Sequence, residues 1–416
     1  MIREEIRILF KKVLKEMKIG DFEIVIEHPE VLEHGDYATN IALVAAPKLG
    51  RSPRELAQEI AEKIKEQKSK FIEKVEVAGP GFINIFLSRD YLVNEFIEVI
   101  KQKEKYGRGD ELKGKKIIVE FTDPNPFKEF HIGHLYSNIV GESISRLLEA
   151  NGANIRRVNY QGDVGMHVAK AIWGMEKKKA SLTVLSKKTL EEKMEFLGQS
   201  YALGNTAFEN NKKAKEEITE LNQKIFDLNK DIKDIYEKGR KWSLDYFEEM
   251  YKRLGTKFDS YYFERDSAEV GLKIVKEGLK KGVFEESEGA VIYPGEKKGL
   301  HNRVFINSKG LPTYEAKELG LALTKYKDFE YDLSIIITGN EIIGYFKVLL
   351  SALKEMEPEL GEKTNHIAHG MVRMSRGKMS SRTGTIILAK DLLDEMKSRV
   401  VILMESSEIQ KVKGVE

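Results

Sequence analysis

The chain has 416 residues, 41% of them hydrophobic and 33% charged, a composition typical of a globular protein with two or three domains. Its 69 Lys and Arg residues balance 67 Asp and Glu, so a formal charge of +2 does not indicate nucleic-acid binding. The absence of cysteine excludes disulfides, thiolate catalysis and Cys-ligated zinc, and no apolar run is long enough to span a bilayer, which together favour a cytoplasmic protein.

Residues 1–105 are predicted to form a small α+β domain. Apolar residues from Ile2 to Met17 recur at helical spacing, and residues 22–26 read as a strand. A second helix is predicted to begin at Ser52-Pro53, because Ser at the cap, Pro in the first turn and Glu55 three residues after Ser52 form a typical helix start.

Residues 81–87 are predicted to be a strand of this domain, because two kinds of side chain alternate along them as on the two faces of a strand. Its odd positions are aliphatic and suit a core. Its even positions, Phe82, Asn84 and Phe86, form a face able to stack on a nucleic-acid base and to hydrogen-bond its edge. The alternative, that both faces are simply buried, is favoured by these residues alone.

A charged segment containing three glycines follows, and residues 106–115 are predicted to be a linker. Residues 117–121 then read as a buried strand, Pro124 and Pro126 bar regular structure, and a helix begins at about His131. A helix start attracts phosphate through its unpaired N–H groups, so the sequence HIGH at 131–134 is interpreted as a nucleotide-triphosphate site or as merely exposed polar residues. A metal site would need further ligands, for which His167 and Asp163 are candidates.

The rest of the chain alternates strands with helices. Strands are predicted at 154–160, 304–306 and 333–337, the last ending in a turn at 339–341. This alternation predicts a parallel sheet with ligands at its carboxyl edge. Residues 176–256 interrupt it with a helical insertion, in which apolar residues from Ile218 to Ile235 follow a heptad-like spacing and a packed helical hairpin is the preferred interpretation. A cationic Gly/Ser-rich loop at 373–382 suits phosphate binding.

HIGH at 131–134, followed far downstream by KMSS at 378–381, resembles the paired motifs of class I aminoacyl-tRNA synthetases. Within that class the chain is similar to arginyl-tRNA synthetases, through the DPN lead-in to HIGH and the segments VNYQGDVGMH, GLPTYEAKE, GDYATNIAL and GPGFINIF. The resemblance implies an α/β fold, with a Rossmann-like parallel-sheet catalytic domain at 116–390 after an N-terminal domain that reads the tRNA D-loop. Residues 391–416 would begin a helical C-terminal region whose anticodon-binding domain is absent.

The resemblance also implies a role for each residue that matches the family pattern. It implies ATP with Mg²⁺, L-arginine and tRNA(Arg) as ligands of a monomer, arginine activation that requires bound tRNA, and no metal held by protein ligands alone. The implied residues are Lys128, His131, His134 and Lys378 for catalysis; Gly133, Gly339, Glu341, Met371, Val372 and Arg382 for ATP; Glu120, Asn125, Tyr314 and Glu318 for arginine; and Phe82 and Asn84 for tRNA.

Three residues depart from the family pattern within these motifs. Glu318 stands where Asp is usual, Ile342 where many members have Gln, and Ser381 where KMSK has its last lysine, for which Lys128 and Arg382 are possible substitutes. The alternatives are a class I synthetase for another amino acid such as lysine, and a non-catalytic tRNA-binding remnant.

Overall fold

The computed structural model describes residues 2–179, 181–372 and 387–406. The chain divides into two compact units, residues 1–107 and 108–416. This boundary falls inside the segment predicted to be a linker. The backbone N–H groups of Gly109 and Leu112 donate to the carbonyls of Ala150 and Asn151, each at 2.9 Å, so residues 109–112 are fixed to the second unit rather than forming a free linker.

The first unit is a small α+β domain around a three-stranded antiparallel sheet. Its sheet order is β1-β3-β2, and the aliphatic side chains of the central strand, Ile83 and Ile85, are fully buried against the helices. The elements are α1 (Ile2–Glu16), β1 (Tyr37–Thr39), α2 (Ile41–Leu49), α3 (Pro53–Glu66), β2 (Ile72–Ala78), β3 (Phe82–Leu87) and α4 (Arg89–Gln102). The predicted start of α3 is confirmed, with Ser52 at the N-cap and Pro53 in the first turn.

The strand predicted at residues 22–26 is wrong. Ile24 and Ile26 are buried as expected, but this segment joins the sheet only at Glu27, through an isolated bridge to Ala38. A strand needs a partner along its length, and β1 is only three residues long.

The second unit is built on a five-stranded parallel sheet of order β11-β10-β4-β5-β6. Together with the first unit it confirms the predicted fold class. Its elements are β4 (Lys116–Glu120), α5 (Ile132–Ala150), β5 (Asn154–Gln161), α6 (Met166–Lys177), α7 (Leu182–Ser186), α8 (Leu190–Asn210), α9 (Lys212–Phe226), α10 (Lys230–Leu254), β6 (Ser260–Phe263), α11 (Glu264–Lys280), β7 (Glu285–Ser287), β8 (Ala290–Tyr293), β9 (Arg303–Ile306), α12 (Tyr314–Asp328), β10 (Leu333–Gly339), α13 (Ile343–Met356), α14 (Pro358–Lys363), β11 (Thr364–His369) and α15 (Ala389–Ser406).

Strand β4 is the central strand and the point at which the strand order reverses. The chain runs from β4 to β5 and β6 on one side, and later returns to β10 and β11 on the other. The side chains of Ile117, Ile118 and Val119 are almost fully buried, as expected for a strand covered on both faces. Ligands of open parallel sheets bind outside the carboxyl ends of the strands at such a reversal. The loop after Glu120 therefore starts at the position where a ligand is expected.

The insertion is helical from α7 to α10, as predicted, but the heptad-like spacing does not form one continuous seam. Ile218, Leu221 and Ile225 are buried on α9. The helix then ends at Phe226, and Leu228 is exposed with a left-handed backbone (φ 47°) before α10 begins.

In the part of the chain that the structure describes, every helix is too short or too polar to span a lipid bilayer.

The strand predicted at 304–306 exists as β9 but is not part of the parallel sheet. It pairs antiparallel with β8, which pairs with β7 in a separate three-stranded sheet. Glu288 and Gly289 link β7 to β8 with φ values of 49° and 77°, the positive angles that a two-residue hairpin requires. Strand β9 therefore completes a hairpin-based antiparallel sheet through its pairing with β8, and among the described residues it makes no pairing with the parallel sheet.

Candidate active site

A cleft of about 720 Å³ opens at the carboxyl edge of the parallel sheet, beside the ends of β4, β10 and β11. It gathers residues that are far apart in the sequence. Eight of the predicted site residues line it: Asn125, His131, Gly133, His134, Gly339, Glu341, Met371 and Val372. The tertiary structure thus brings the predicted phosphate-binding helix start together with the predicted ribose and adenine residues.

The loop between β4 and α5 adopts an unusual backbone. Thr122, Asp123 and Phe127 have φ values of 78°, 45° and 65°, which residues with side chains rarely adopt. Buried hydrogen bonds hold the loop there: the N–H of Thr122 donates to Ser137 Oγ at 3.1 Å, and the N–H of Phe127 donates to Ser243 Oγ at 2.9 Å. Such strain is typical of functional sites, where the surrounding structure fixes side chains for a ligand.

The two histidines of HIGH cap the start of α5. The N–H of Gly133 donates to His131 Nδ1 at 3.1 Å, and the N–H of His131 donates to His134 Nδ1 at 3.2 Å. The imidazole rings stack with their centroids 3.7 Å apart. Because each Nδ1 accepts a hydrogen bond, each neutral ring carries its proton on Nε2 and can donate only from that atom.

Both histidines are neutral at pH 7. Burial, helped by the charge of Lys128, lowers the pKa of His131 to about 4. Burial also lowers the pKa of His134 well below its ordinary value, and His131 and Lys128 contribute in the same direction. The pair therefore offers two fixed neutral N–H donors rather than two positive charges.

Two glycines of the cleft lie close to side chains that line it. A Cβ atom at Gly133 would lie 2.9 Å from Cε1 of His131, and one at Gly339 would lie 2.2 Å from a carboxylate oxygen of Glu341. A side chain at either position would displace a residue that lines the cleft. Both glycines thus preserve the geometry of the predicted ATP site.

Three carboxylates and one ammonium group cluster near the end of β4. Asp123 lines the cleft, whereas Glu120, Glu318 and Lys325 are not among its lining residues. Glu120 is 2% exposed, and its Oε2 lies 2.6 Å from Nζ of the equally buried Lys325. Burial, reinforced by the charge of Glu120, raises the pKa of Asp123 and that of Glu318 well above their ordinary values. Such a cluster favours a cationic ligand, since a cation would relieve the repulsion among the carboxylates.

The other residues predicted to bind arginine or phosphate lie around this cluster. Asn125 Oδ1 accepts a hydrogen bond from the N–H of Gly162 at 3.1 Å, which leaves its amide nitrogen to donate. Tyr314 begins α12 and is half-exposed, one helical turn before Glu318. The Nζ atom of Lys128 lies 5.2 Å from the ring centre of Tyr201 on α8.

Sequence reasoning missed several residues of the site. Asp123, Tyr136 and His369 line the cleft, and Lys325 neutralises Glu120 behind it. A signal for Lys325 was present, because it follows Glu318 by seven residues and so lies on the same face of α12. No comparable sequence pattern identifies Tyr136 or His369, whose rings meet edge-to-face at 4.8 Å from different elements.

Some predicted residues lie elsewhere. Lys378, Ser381 and Arg382 of the cationic loop are outside the described residues. In the first unit Phe82 is 42% exposed whereas Asn84 is 6% exposed. The expectation of a shared open face is therefore wrong for Asn84, because β3 is the central strand and Asn84 lies between its partners on β1 and β2.

The two candidate metal ligands are both bonded to protein groups. Asp163 Oδ2 accepts hydrogen bonds from Tyr236 and Arg240, at 3.2 and 3.0 Å, and His167 Nε2 lies 2.7 Å from the carbonyl oxygen of Gly162. Within the ranges that the structure describes, no three His, Asp or Glu side chains group closely enough to hold a metal ion.

Comparisons with known proteins identify the family to which the chain is similar. Residues 95–416 match the family of class I (R) tRNA synthetase catalytic domains, and residues 4–87 match the arginyl-tRNA synthetase N-terminal domain. Arginine–tRNA ligase of Treponema denticola is 31% identical over 405 residues, which are 95% of this chain and 68% of that protein. The ligase of Borreliella afzelii is 30% identical over 430 residues, covering 100% and 72% of the two chains.

Solved structures show the same fold. The arginyl-tRNA synthetase of Thermus thermophilus superposes with a TM-score of 0.67 at 19% identity, over 100% of this chain and 72% of that one. That of Plasmodium falciparum gives 0.64 at 19% identity, over 99% and 71%. With family matches over residues 4–87 and 95–416 and relatives at 30–31% identity, this chain belongs to the class I arginyl-tRNA synthetase family.

Proposed function

We propose that this chain is an arginine–tRNA ligase that works in two steps. In the first, the carboxylate of L-arginine attacks the α-phosphorus of ATP, and pyrophosphate leaves to give arginyl-adenylate. In the second, a hydroxyl at the 3′ end of tRNA(Arg) attacks the arginyl carbonyl, and AMP leaves. The observation that carries the proposal is the placement of two neutral imidazole donors at a helix start, beside a buried carboxylate cluster.

The histidines and Lys128 would act on the phosphates. The Nε2–H groups of His131 and His134, fixed by their Nδ1 hydrogen bonds, are suited to donate to α-phosphate oxygens as negative charge develops there. Lys128 and Lys378 would bind the departing pyrophosphate. Mg²⁺ bound to ATP would neutralise part of the triphosphate charge.

Glu120 and Glu318 would bind the guanidinium group, since a planar cation is matched by carboxylates in bidentate geometry. Asn125 and Tyr314 would complete the arginine site. Gly133, Gly339, Glu341, Met371 and Val372 would enclose ATP, with Arg382 on its phosphates. A cytoplasmic monomer is part of the same proposal.

The direct test is ATP formation from pyrophosphate with each amino acid, run with and without tRNA(Arg). We expect exchange with arginine, and we expect it to depend on tRNA. Exchange that is faster with lysine would make the chain a synthetase for lysine instead. Tight tRNA binding without exchange for any amino acid would identify a non-catalytic tRNA-binding protein.

We further propose that Phe82 stacks on a base of the tRNA D-loop. Phe82→Ala should weaken tRNA binding by about 1–3 kcal/mol, the usual contribution of one stacked base. Phe96→Ala is the matched control, because Phe96 is also an exposed phenylalanine of the first unit.

Binding is measured by titration at several salt concentrations, with wild-type tRNA and with transcripts altered in the D-loop or the anticodon. The D-loop transcript should lose the effect of Phe82→Ala, because the stacking base is then changed. If the anticodon transcript alone binds or charges poorly, Phe82 is not the tRNA contact.

A further inference from the structure

Lys325 is a buried lysine that the proposed reaction does not use. It lies on α12 and is 1% exposed, and its Nζ atom is 2.6 Å from Oε2 of Glu120 and 3.5 Å from Oγ of Ser334. Burial, the largest single influence, disfavours a charged ammonium, but the charges of Glu120, Tyr331 and Glu318 and the hydrogen bond to Glu120 together raise the pKa of Lys325 above its ordinary value. Lys325 is therefore a permanent positive charge inside the protein.

The surroundings of Lys325 are otherwise acidic. Five parts of the chain contribute ionisable groups to this region: β4, the loop after it, the start of α11, α12 itself, and the loop between α12 and β10. The groups that act on Lys325 or on its neighbour Glu318 are Glu120, Asp123, Glu264, Glu318 and Tyr331, and Glu264 is itself paired with Lys317 at 2.7 Å.

A buried ion pair is a poor device for stability alone. Desolvation of both charges largely offsets their attraction, and apolar residues of similar volume often stabilise a fold as well or better. The pair lies beside two further carboxylates, and this position indicates a role in ligand binding. Lys325 donates a hydrogen bond to Oε2 of Glu120, which leaves Oε1 to accept a hydrogen bond from a ligand. Its positive charge also reduces the repulsion among Glu120, Asp123 and Glu318.

We propose that Lys325 is a positioning residue of the arginine site, which holds the Glu120 carboxylate in place so that the carboxylate cluster can accept a guanidinium group. This inference rests on the proposed function and extends it. Lys325 does not touch the substrate; it acts through Glu120. It sets how much of the cluster is ionised before arginine arrives, and so sets the pH at which arginine binds.

The sign of the pH dependence follows from the cluster. Asp123 and Glu318 hold protons to a higher pH than ordinary carboxyls, whereas a bound guanidinium favours their charged forms. Arginine binding must therefore release protons, and arginine affinity must rise as pH increases above the ordinary carboxyl range of about 4. The affinity stops rising at the pH where Asp123 and Glu318 are already fully ionised in the protein without arginine.

Calorimetric titration of the full chain with L-arginine, at several pH values and in buffers of different ionisation enthalpy, measures both affinity and protons released. In Lys325→Met the carboxylates lose their cation, whose removal typically raises a neighbouring carboxyl pKa by about 1 to 3 pH units. We expect arginine binding at pH 7 to weaken by about tenfold or more, proton release to increase, and the affinity profile to move to higher pH. In charging assays the KM for arginine should rise, with kcat at saturating arginine nearly unchanged.

Arg157→Met is the matched control. Arg157 of β5 forms a largely buried ion pair with Glu142 of α5, at 2.9 Å, and neither residue lines the cleft. The Arg157→Met variant should have a lower melting temperature, but its arginine affinity should depend on pH as in the wild-type chain. If Lys325→Met behaves in the same way, with wild-type affinity and wild-type pH dependence, the pair is only structural and the inference is wrong.

A second comparison decides the matter even if Lys325→Met does not fold. Lys325→Arg keeps a cation beside Glu120 and should retain most of the arginine affinity and its pH dependence. Lys325→Gln keeps a polar group but removes the charge, so it should weaken arginine binding and move the affinity profile to higher pH. Equal affinity of these two variants at every pH overturns the inference. Failure of the wild-type chain to bind arginine would instead remove the proposed function on which the inference rests.

Discussion

The variant His131→Ala/His134→Ala should form arginyl-adenylate at least about 10²–10³ times more slowly than the wild-type chain, the usual effect of losing one fixed donor. Its affinity for arginine should change little, because the imidazole N–H groups act where charge develops in the transition state. Both rings are neutral and fixed as Nε2–H donors, so the defect should be present at pH 7 and above. The rate is measured as single-turnover ATP consumption with arginine and tRNA.

His301→Ala is the control for this variant, since His301 is an exposed histidine of the second unit. It should retain the wild-type rate. The single variants His131→Ala and His134→Ala separate the two donors, and each should also lose the hydrogen bond that caps the start of α5. A double variant that forms adenylate at the wild-type rate would refute the placement of the active site. Lys378→Ala extends the same test to the cationic loop, with a similar loss expected.

Glu318→Gln should weaken the use of arginine strongly while sparing ATP. Glu318 is partly buried without a ligand, and removal of a carboxylate that pairs with a guanidinium group costs about 2–4 kcal/mol when the bound pair is desolvated. That cost corresponds to an increase in the KM for arginine of about 30-fold to several hundred-fold, with the KM for ATP unchanged. The measurement is pyrophosphate exchange with arginine and ATP varied in turn.

Glu318→Asp is the matched control, because it restores the residue that is usual in the family and keeps the charge. It should retain most of the arginine activity. Glu120→Gln is expected to weaken arginine use as well, but it also leaves the ammonium of Lys325 buried without a partner, at a cost to stability of about 3–5 kcal/mol. Its kinetic constants must therefore be interpreted together with its melting temperature, because unfolding also lowers the measured activity. A Glu318→Gln variant with wild-type KM for arginine would exclude Glu318 from the substrate site.

The sequence by itself determined the fold class and the family. The β-branched run at 117–119, the prolines at 124 and 126 and the helical spacing after His131 together predicted a strand, a loop and a helix, because each pattern is local. HIGH and KMSS lie about 250 residues apart, and their order and context were sufficient for the family resemblance. The start of α3 and the helical insertion were also predictable from local spacing and capping residues.

Only the tertiary structure decided which of these residues lie together and in what chemical state. Residues 22–26 and 304–306 both have strand-like sequences, yet one lacks a long partner and the other pairs in a separate antiparallel sheet. Lys325 reaches Glu120 from 205 residues away. The neutrality of His131 and the raised pKa of Glu318 arise from burial and from neighbouring charges. Strand pairing, burial and charge proximity depend on contacts between distant segments, so local sequence patterns cannot specify them.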